Sequence, residues 1–490
     1  MISTRPALER LTTGSAALDR ILGGGLPVRS VNVIAGEPGA GKTLFALQML
    51  FALARQGKKG LYFTTLSEPS LKLVQYMQQF SFFDESVIDR GVVFTDLGSV
   101  IRGQGAEATL NEITSRVERE EPAVVVIDSF KAVRDILRDP ASLRTFVYDL
   151  AVHTAGWGAA SLLVGEYSEA EAASESEFAI ADGIIRLTNA RQELTSVREV
   201  EVLKLRGADH VAGRHFFEIG KCGLTFFPRV HSPEPTGVEP AGAGPLAPTQ
   251  RASTGVSGLD AMLGGGLPRA SATIVQGGTG TGKTLLGLQF LLEGARQGEA
   301  GIHFMLEETP DQLRGIAQGL GWDLRAYEER GLLTLCYTSP IELSTDRFLD
   351  QARREVEKVG ARRAVLDSLT SVALGVPSDR RFRELVYALA KHFQALGVTL
   401  DMNMEVTDLM GSAQLSGHGL SFAADNVIQL KYVEIEGRLE RGISVLKARG
   451  VRHATDVRRL SVEARGVEVG SPFEGMRGVL TGLPVPARPS

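Results

Sequence analysis

Short, almost unbroken apolar runs recur along the chain, separated by longer stretches with helical spacing. SVNVIAG, LYFTTL, GVVFTDL, AVVVIDS and ASLLVGEY are the first five. Runs of this length that do not alternate with polar residues predict strands buried on both faces, as in a parallel sheet covered by helices. LFALQMLFALARQ, from Leu44, predicts an amphipathic helix directly after the first of these strands. The order of elements predicts an α/β fold, each unit a mostly parallel sheet flanked by helices.

The pattern then starts again. TGSAALDRILGGGLP (Thr13–Pro27) is answered by TGVSGLDAMLGGGLP (Thr254–Pro268), and ARQGKKG (Ala54–Gly60) by ARQGEAG (Ala295–Gly301). Later pairs, VVVIDS against AVLDS and VLKLRG against VLKARG, follow in the same order, so a domain has been duplicated. Residues 1–228 and 251–481 are the expected copies. The Pro- and Ala-rich stretch 229–250 is expected to be a semi-stiff linker, and 482–490 a flexible tail.

Composition narrows the chemistry only by exclusion. At 490 residues the chain exceeds one ordinary core, which agrees with two domains. A net charge of −5 gives no general electrostatic reason to bind nucleic acid, so a nucleic-acid partner is not expected. The two cysteines, Cys222 and Cys336, lie in different copies without metal-ligand spacing. MISTRPALER carries no apolar signal core, and no apolar run reaches the ~18 residues that span a bilayer. A cytoplasmic protein without a membrane partner is the expectation.

The strongest chemical signal is a glycine-rich loop present in both copies. IAGEPGAGKTLF (Ile34–Phe45) and VQGGTGTGKTLL (Val275–Leu286) both fit G-x-x-x-x-G-K-[ST], each after a strand and opening a helix. Backbone N–H groups of such a loop wrap phosphate oxygens, and the helix N-terminus adds positive potential. Gly36, Gly39, Ala40, Gly41, Lys42, Thr43 and Leu44 are expected to cradle a nucleotide in the first copy. Gly277, Thr279, Gly280, Thr281, Gly282, Lys283, Thr284 and Leu285 take that part in the second. Lys42 and Lys283, 241 residues apart, would reach the β- and γ-phosphates of ATP, and the Thr43 and Thr284 hydroxyls would ligate Mg²⁺. Asp128 and Asp367 end apolar strands, where a carboxylate can meet the Mg²⁺ or cap the next helix.

A second acidic feature belongs to one copy alone. FMLEETPDQL puts Glu307 and Glu308 after a strand and before a helix opened by Thr309 and Pro310. A glutamate there can orient or deprotonate the nucleophile that attacks the γ-phosphate, and Glu307 would also neighbour the metal. The simpler role, favouring the helix N-terminus, is open to both. In the first copy Leu66 and Ser67 align with the two glutamates, and a one-residue slip recovers only Glu68. The first site is therefore expected to bind ATP and hydrolyse it slowly or not at all.

Late in each copy, KLRG (Lys204–Gly207) and KARG (Lys447–Gly450) place two cations two residues apart on a strand, hence on one face. Either they guard a strand edge, or Arg206 and Arg449 reach phosphate on an adjoining subunit, which demands a ring.

With the loops, the GGGLP lead-ins, the EETP segment and the paired KLRG and KARG, the sequence resembles the KaiC family of tandem RecA-like P-loop ATPases and autokinases. The resemblance covers nearly all of both copies. It implies a homohexameric double ring with ATP at subunit interfaces, and regulatory signalling proteins as partners. By resemblance Glu307 is the general base, and Lys204, Arg206, Lys447 and Arg449 are contacts from the neighbouring subunit. The family's phosphate-accepting Ser-Thr pair falls on Ser421 and Phe422 in LSFAADNVIQLKYVEI, so the serine is kept and the threonine lost. Ser416, five positions earlier, offers a further hydroxyl. Ser421 is either a phosphoacceptor or a plain loop hydroxyl.

Two other readings share the core fold: a DNA-handling RecA-type ATPase, or a nucleotide-gated scaffold without kinase activity. The acidic balance and the absence of an added basic module weigh against the first. The missing glutamates favour the scaffold for the first copy only.

Overall fold

The computed structural model describes residues 8–65, 70–137, 139–168, 171, 176–192, 195–229, 250–340, 343–376, 378–406, 420–463, 466–479 and 485–486. The chain separates into two compact units, Met1–Arg229 and Val230–Ser490.

The first unit is built on strands β1 (Val31–Gly36), β2 (Gly60–Thr64), β3 (Val92–Asp96), β4 (Val124–Asp128), β5 (Ala160–Glu166), β6 (Gly183–Gln192), β7 (Thr195–Leu205), β8 (Arg214–Gly220) and β9 (Gly223–Phe227). They lie in the order β9-β8-β7-β6-β1-β5-β4-β2-β3. Strands β1 to β6 run parallel, and β7 to β9 return as antiparallel hairpins. In the second unit the strands are β10 (Ala272–Gly277), β11 (Gly301–Met305), β12 (Leu333–Tyr337), β13 (Arg363–Asp367), β14 (Thr399–Glu405), β15 (Asn426–Ile435), β16 (Arg438–Ala448), β17 (Arg458–Glu463) and β18 (Gly466–Pro472). Their order, β12-β11-β13-β14-β10-β15-β16-β17-β18, is that of the first sheet. The parallel strands are the apolar runs of the sequence, and both units are RecA-like α/β domains.

Both faces of each sheet are covered, which is why these strands do not alternate. In the first, Ile34, Val126 and Leu162 pack on one side with helix α1 (Lys42–Ala54). Val33, Val125 and Leu163 pack on the other, against helices Gly98–Glu120 and Pro140–Trp157. Helix α1 is not the amphipathic helix expected. Leu44 to Leu47, Met49 to Phe51 and Leu53 are all buried. A second apolar layer explains this: Phe45 meets Phe226 of β9 edge-on at 6.3 Å, and Phe51 lies 5.4 Å from Phe83. In the second unit α2 (Lys283–Arg296) holds the same place. Within the stretch expected to be a flexible tail, Val485–Pro486 pairs antiparallel with Met476–Arg477.

Candidate nucleotide site

Each glycine-rich loop joins the carboxyl end of the central strand to its helix, the place where ligands bind in open α/β sheets. Gly41 and Gly282 cap α1 and α2 at φ 96° and 106°, a left-handed conformation that a Cβ would strain. Within the loops the Ala40 and Thr281 amides bond the Glu37 and Gly278 carbonyls at 3.2 and 3.4 Å. Lys42 Nζ donates to the Glu37 carbonyl at 2.8 Å, and Lys283 Nζ to the Gly277 and Gly278 carbonyls at 2.8 and 2.9 Å. Both amines thus lie folded over the loop that phosphate would enter. Burial lowers both lysine pKa values, opposed by the carboxylates around them. Ala40 and Thr281 are buried inside their loops, and Leu44 packs into the core.

Asp128 and Asp367, the candidate metal carboxylates, stand where the strands end. In the first unit Thr43 Oγ1 donates to Asp128 Oδ2 at 2.7 Å, so the two groups that would share Mg²⁺ already touch. Tyr62, on β2, donates its hydroxyl to the same oxygen at 2.5 Å. A cavity of about 820 Å³ opens here, lined among others by Lys42, Thr43, Tyr62, Tyr76, Asp128 and Glu166. In the second unit Asp367 is buried, and its Oδ2 has no hydrogen-bond partner among the described residues. A hydroxyl touching a carboxylate in one copy, and an unpartnered buried carboxylate oxygen in the other, suit a hard cation that is completed by phosphate and water. Among the described residues no three His, Cys, Asp or Glu side chains gather into a metal cage of their own.

Glu307 and Glu308 follow β11 in the same mouth. Thr309 caps the next helix, Pro310–Gly319, in a reciprocal capping box with Gln312. Glu307 Oε1 accepts from the Ser368 and Ser371 hydroxyls at 2.6 and 2.5 Å. That fixes the carboxylate against the end of β13 and leaves Oε2 to act. The pKa of Glu308 is raised, by burial first and then by the charges of Asp367 and Glu307. Both glutamates act on Lys283. The aligned Leu66, Ser67 and Glu68 lie outside the described residues.

Five site residues were missed from sequence. Tyr62, Glu166 and Ser371 have already been named. Arg441, on β16, donates to the Gly280 carbonyl of the second loop at 3.2 Å, with its guanidinium 5.7 Å from the Tyr432 ring. Glu405 ends β14 and accepts from the Thr279 hydroxyl. Ser371, three residues after Ser368, left a signal in the sequence: both positions fall on one face of a turn opening a helix. The others come from distant strands.

The remaining sites lie at the opposite end of each sheet. Lys204 Nζ donates to the Ala179 carbonyl at 3.2 Å, and Arg206 pairs with Asp182, whose amide bonds Val31 at the start of β1. Lys447 Nζ donates to the Ala424 carbonyl at 2.7 Å, and Arg449 pairs with Asp425, whose amide bonds Ala272 at the start of β10. The length of the central strand, roughly 16 Å at the usual rise per residue, separates both pairs from their own loops. Ser421 falls in the single turn Leu420–Phe422 at this same far end; its side chain is outside what the structure describes, as is Ser416. Phe422 is half exposed and stacks on Tyr387. Among the described residues no helix is long and apolar enough to cross a membrane.

The family model described as "ATPase: KaiC" matches twice, over residues 11–231 and 252–474. A circadian clock protein KaiC3 of Synechocystis is 30% identical over 491 residues, covering 98% of this chain and 95% of its own. A circadian clock oscillator protein KaiC of Rippkaea orientalis is 29% identical over 498 residues, with 98% and 92% covered. One from Thermosynechococcus vestitus is 30% identical over 494 residues, with 97% and 92% covered.

Proposed function

The chain belongs to the KaiC family of ATPases, and on that premise we propose that its second unit hydrolyses Mg-ATP and phosphorylates serine, with Ser421 the acceptor. The first unit binds ATP and serves chiefly to hold a ring together. One observation carries the reading: Asp367, Glu307 and Glu308 all act on Lys283, so phosphate ligand, metal carboxylate and candidate base share one mouth.

Each residue then has a task. Lys283 exchanges its loop carbonyls for the β- and γ-oxygens of ATP. Thr284 and Asp367 would hold Mg²⁺, which neutralises charge on those oxygens. Glu307, one oxygen held by two serine hydroxyls, uses the other to take the proton of the attacking water or serine. Burial and the charges of Asp367 and Glu307 raise the pKa of Glu308, which makes it the stronger base for sharing that role. Lys447, Arg449 and Ser421 lie too far from their own loop to act on it. This supports a head-to-tail ring in which they reach the loop of the next subunit, with Lys204 and Arg206 doing so in the first layer. A homohexameric double ring, regulated by signalling proteins, is the assembly this implies. Because Phe422 offers no hydroxyl, the switch has one acceptor at this position rather than two.

Incubation with Mg²⁺ and γ-labelled ATP, followed by peptide mapping, tests the proposal with Glu307→Gln alongside. Label on Ser421 that vanishes in the variant supports an autokinase with the base named here. Steady phosphate release without label would leave an ATPase and remove the kinase.

A further inference from the structure

Each loop faces a carboxylate that the reaction above does not use. β5 ends at Glu166 and β14 at Glu405, and each pairs with the last residue of its loop strand, Gly36 or Gly277. The neighbours of these glutamates differ between the copies: Leu162 and Val164 precede one, Asp401 and Asn403 the other. The carboxylate stays at the same place in both.

Its position is specific. β14 lies between β10, which feeds the loop, and β13, which ends in Asp367. Glu405 therefore stands on the side of the loop that faces Asp367, the candidate metal carboxylate. It accepts the hydroxyl of Thr279, a loop residue, and its backbone amide is fixed by the Thr370 hydroxyl at 2.9 Å. Among the carboxylates whose charge reaches Lys283, Glu405 acts most strongly, ahead of Asp367, Glu307 and Glu308. At Lys42, Glu166 leads in the same way. Glu166 also lines the cavity that Lys42 and Thr43 open into.

A carboxylate bonded to a loop residue, as Glu405 is to Thr279, occupies ground that phosphate oxygens need, and like charges this close repel. We propose that Glu405, which holds its loop through Thr279, is a gating residue that must swing aside for a nucleoside triphosphate, and that Glu166 opposes phosphate by its charge at the matching place in the first copy. The inference rests on the nucleotide reading of the loops and deepens it. The γ-phosphoryl group adds charge nearest the glutamate, so the gate disfavours ATP more than ADP. Each unit then discriminates between the two by a charge of its own, separate from the base.

The test uses the full chain carrying Lys42→Ala, so that only the second loop binds. Calorimetric titration with the β,γ-imido analogue of ATP and with ADP, both with Mg²⁺, compares Glu405→Gln with the unchanged residue. The neutral isostere is expected to raise affinity for the ATP analogue about fivefold and for ADP about twofold or less, the scale of one like-charge contact near a surface. Glu405→Asp, which keeps the charge, should keep the original ratio. An equal change for both nucleotides, or weaker binding of both, would make Glu405 a structural support and overturn the gate. Lys42→Ala with Lys283→Ala is the control: loss of binding there upholds the loop whatever Glu405 does. Persistent binding would instead sink the nucleotide reading itself.

Discussion

The two units run their strands in one order around loops 241 residues apart, yet the chemistry buried within their sheets differs. Where the first unit has Tyr62, Val124, Leu162 and Val164, the second has His303, Arg363, Asp401 and Asn403. All four polar replacements are buried, and both His303 ring nitrogens, both Asn403 amide atoms and Asp401 Oδ1 have no partner among the described residues. Buried polar atoms of this kind cost stability. The fold tolerates them because the ladders and apolar faces that specify it lie elsewhere. The difference gathers around one carboxylate, since Asp367 acts on both His303 and Asp401. The first unit keeps an apolar floor and a strand-end carboxylate, Asp128, already held by Thr43 and Tyr62; the second carries a polar floor with Glu307 and Glu308 at its mouth.

The sharpest way to break that contrast is through turnover. Glu307→Gln should lower phosphate release by the whole protein about 10³-fold, within the range for a lost general base. Retention of most of the activity would move the engine to the first unit and reverse the comparison. Measuring release in Lys42→Ala in parallel gives the complementary number, which should change far less.

Next in size is a charge set confined to the second unit. Arg363 is fully buried; it bonds Glu299 at 2.7 Å and the Ser253 and Phe290 carbonyls at 2.6 and 2.9 Å. Arg269 pairs with the same glutamate. At the matching places the first unit has Val124, Lys58 and Val28. Arg363→Val, which imports the first unit's residue alone, should destabilise the second unit by about 4 kcal/mol, because Glu299 and two carbonyls lose their donor. Trp322 fluorescence in a Trp157→Phe background follows that unit in denaturant. An unchanged midpoint would mean the set contributes nothing.

These cases show what the chain made legible and what it hid. Parallel strands such as VVVID and AVLD are apolar on both faces, so the sheet, the loops and the duplication could be read from residue pattern alone. The character of α1 could not, because the layer that covers its outer face comes from Phe82, Phe83 and β9, distant in sequence. Tyr62, Arg441 and Glu405 were missed for a related reason. Each is one residue on a strand, and only the register between strands turns it toward the loop. Lys204 and Arg206 were legible as a pair on one face, and Lys204 feels the charge of Arg206. Their distance from their own loop follows from the direction of β6 and was not.

The polar floor also carries a pH signature. Burial lifts the pKa of Asp401 to about 7, with the charge of Asp367 adding to it. Because the folded value lies above the unfolded one, ~3.9, the folded state binds the proton more tightly. Stability is then greatest at low pH and falls as pH rises toward the folded pKa. Between pH 5 and 7 the second unit should lose about 2 kcal/mol from this group. Asp401→Asn should flatten that slope in Trp322-monitored denaturation, and an unaltered slope would remove Asp401 as its source.

The smallest effect tests whether the first unit's metal carboxylate is held in advance. Tyr62 is fully buried and shares Asp128 Oδ2 with Thr43. His303 takes its place in the second unit, where Asp367 Oδ2 has no partner among the described residues. Tyr62→Phe keeps the ring in the core and removes the donor to a charged acceptor, a loss of about 1.5 kcal/mol in the first unit. If the phenol also orients Asp128 for the metal, Mg²⁺-dependent ATP binding in a Lys283→Ala background should weaken, while binding in chelator stays the same. A stability loss with no change in the Mg²⁺ dependence would make Tyr62 a packing residue. The two units would then differ in their glutamates but not in how their metal carboxylates are prepared.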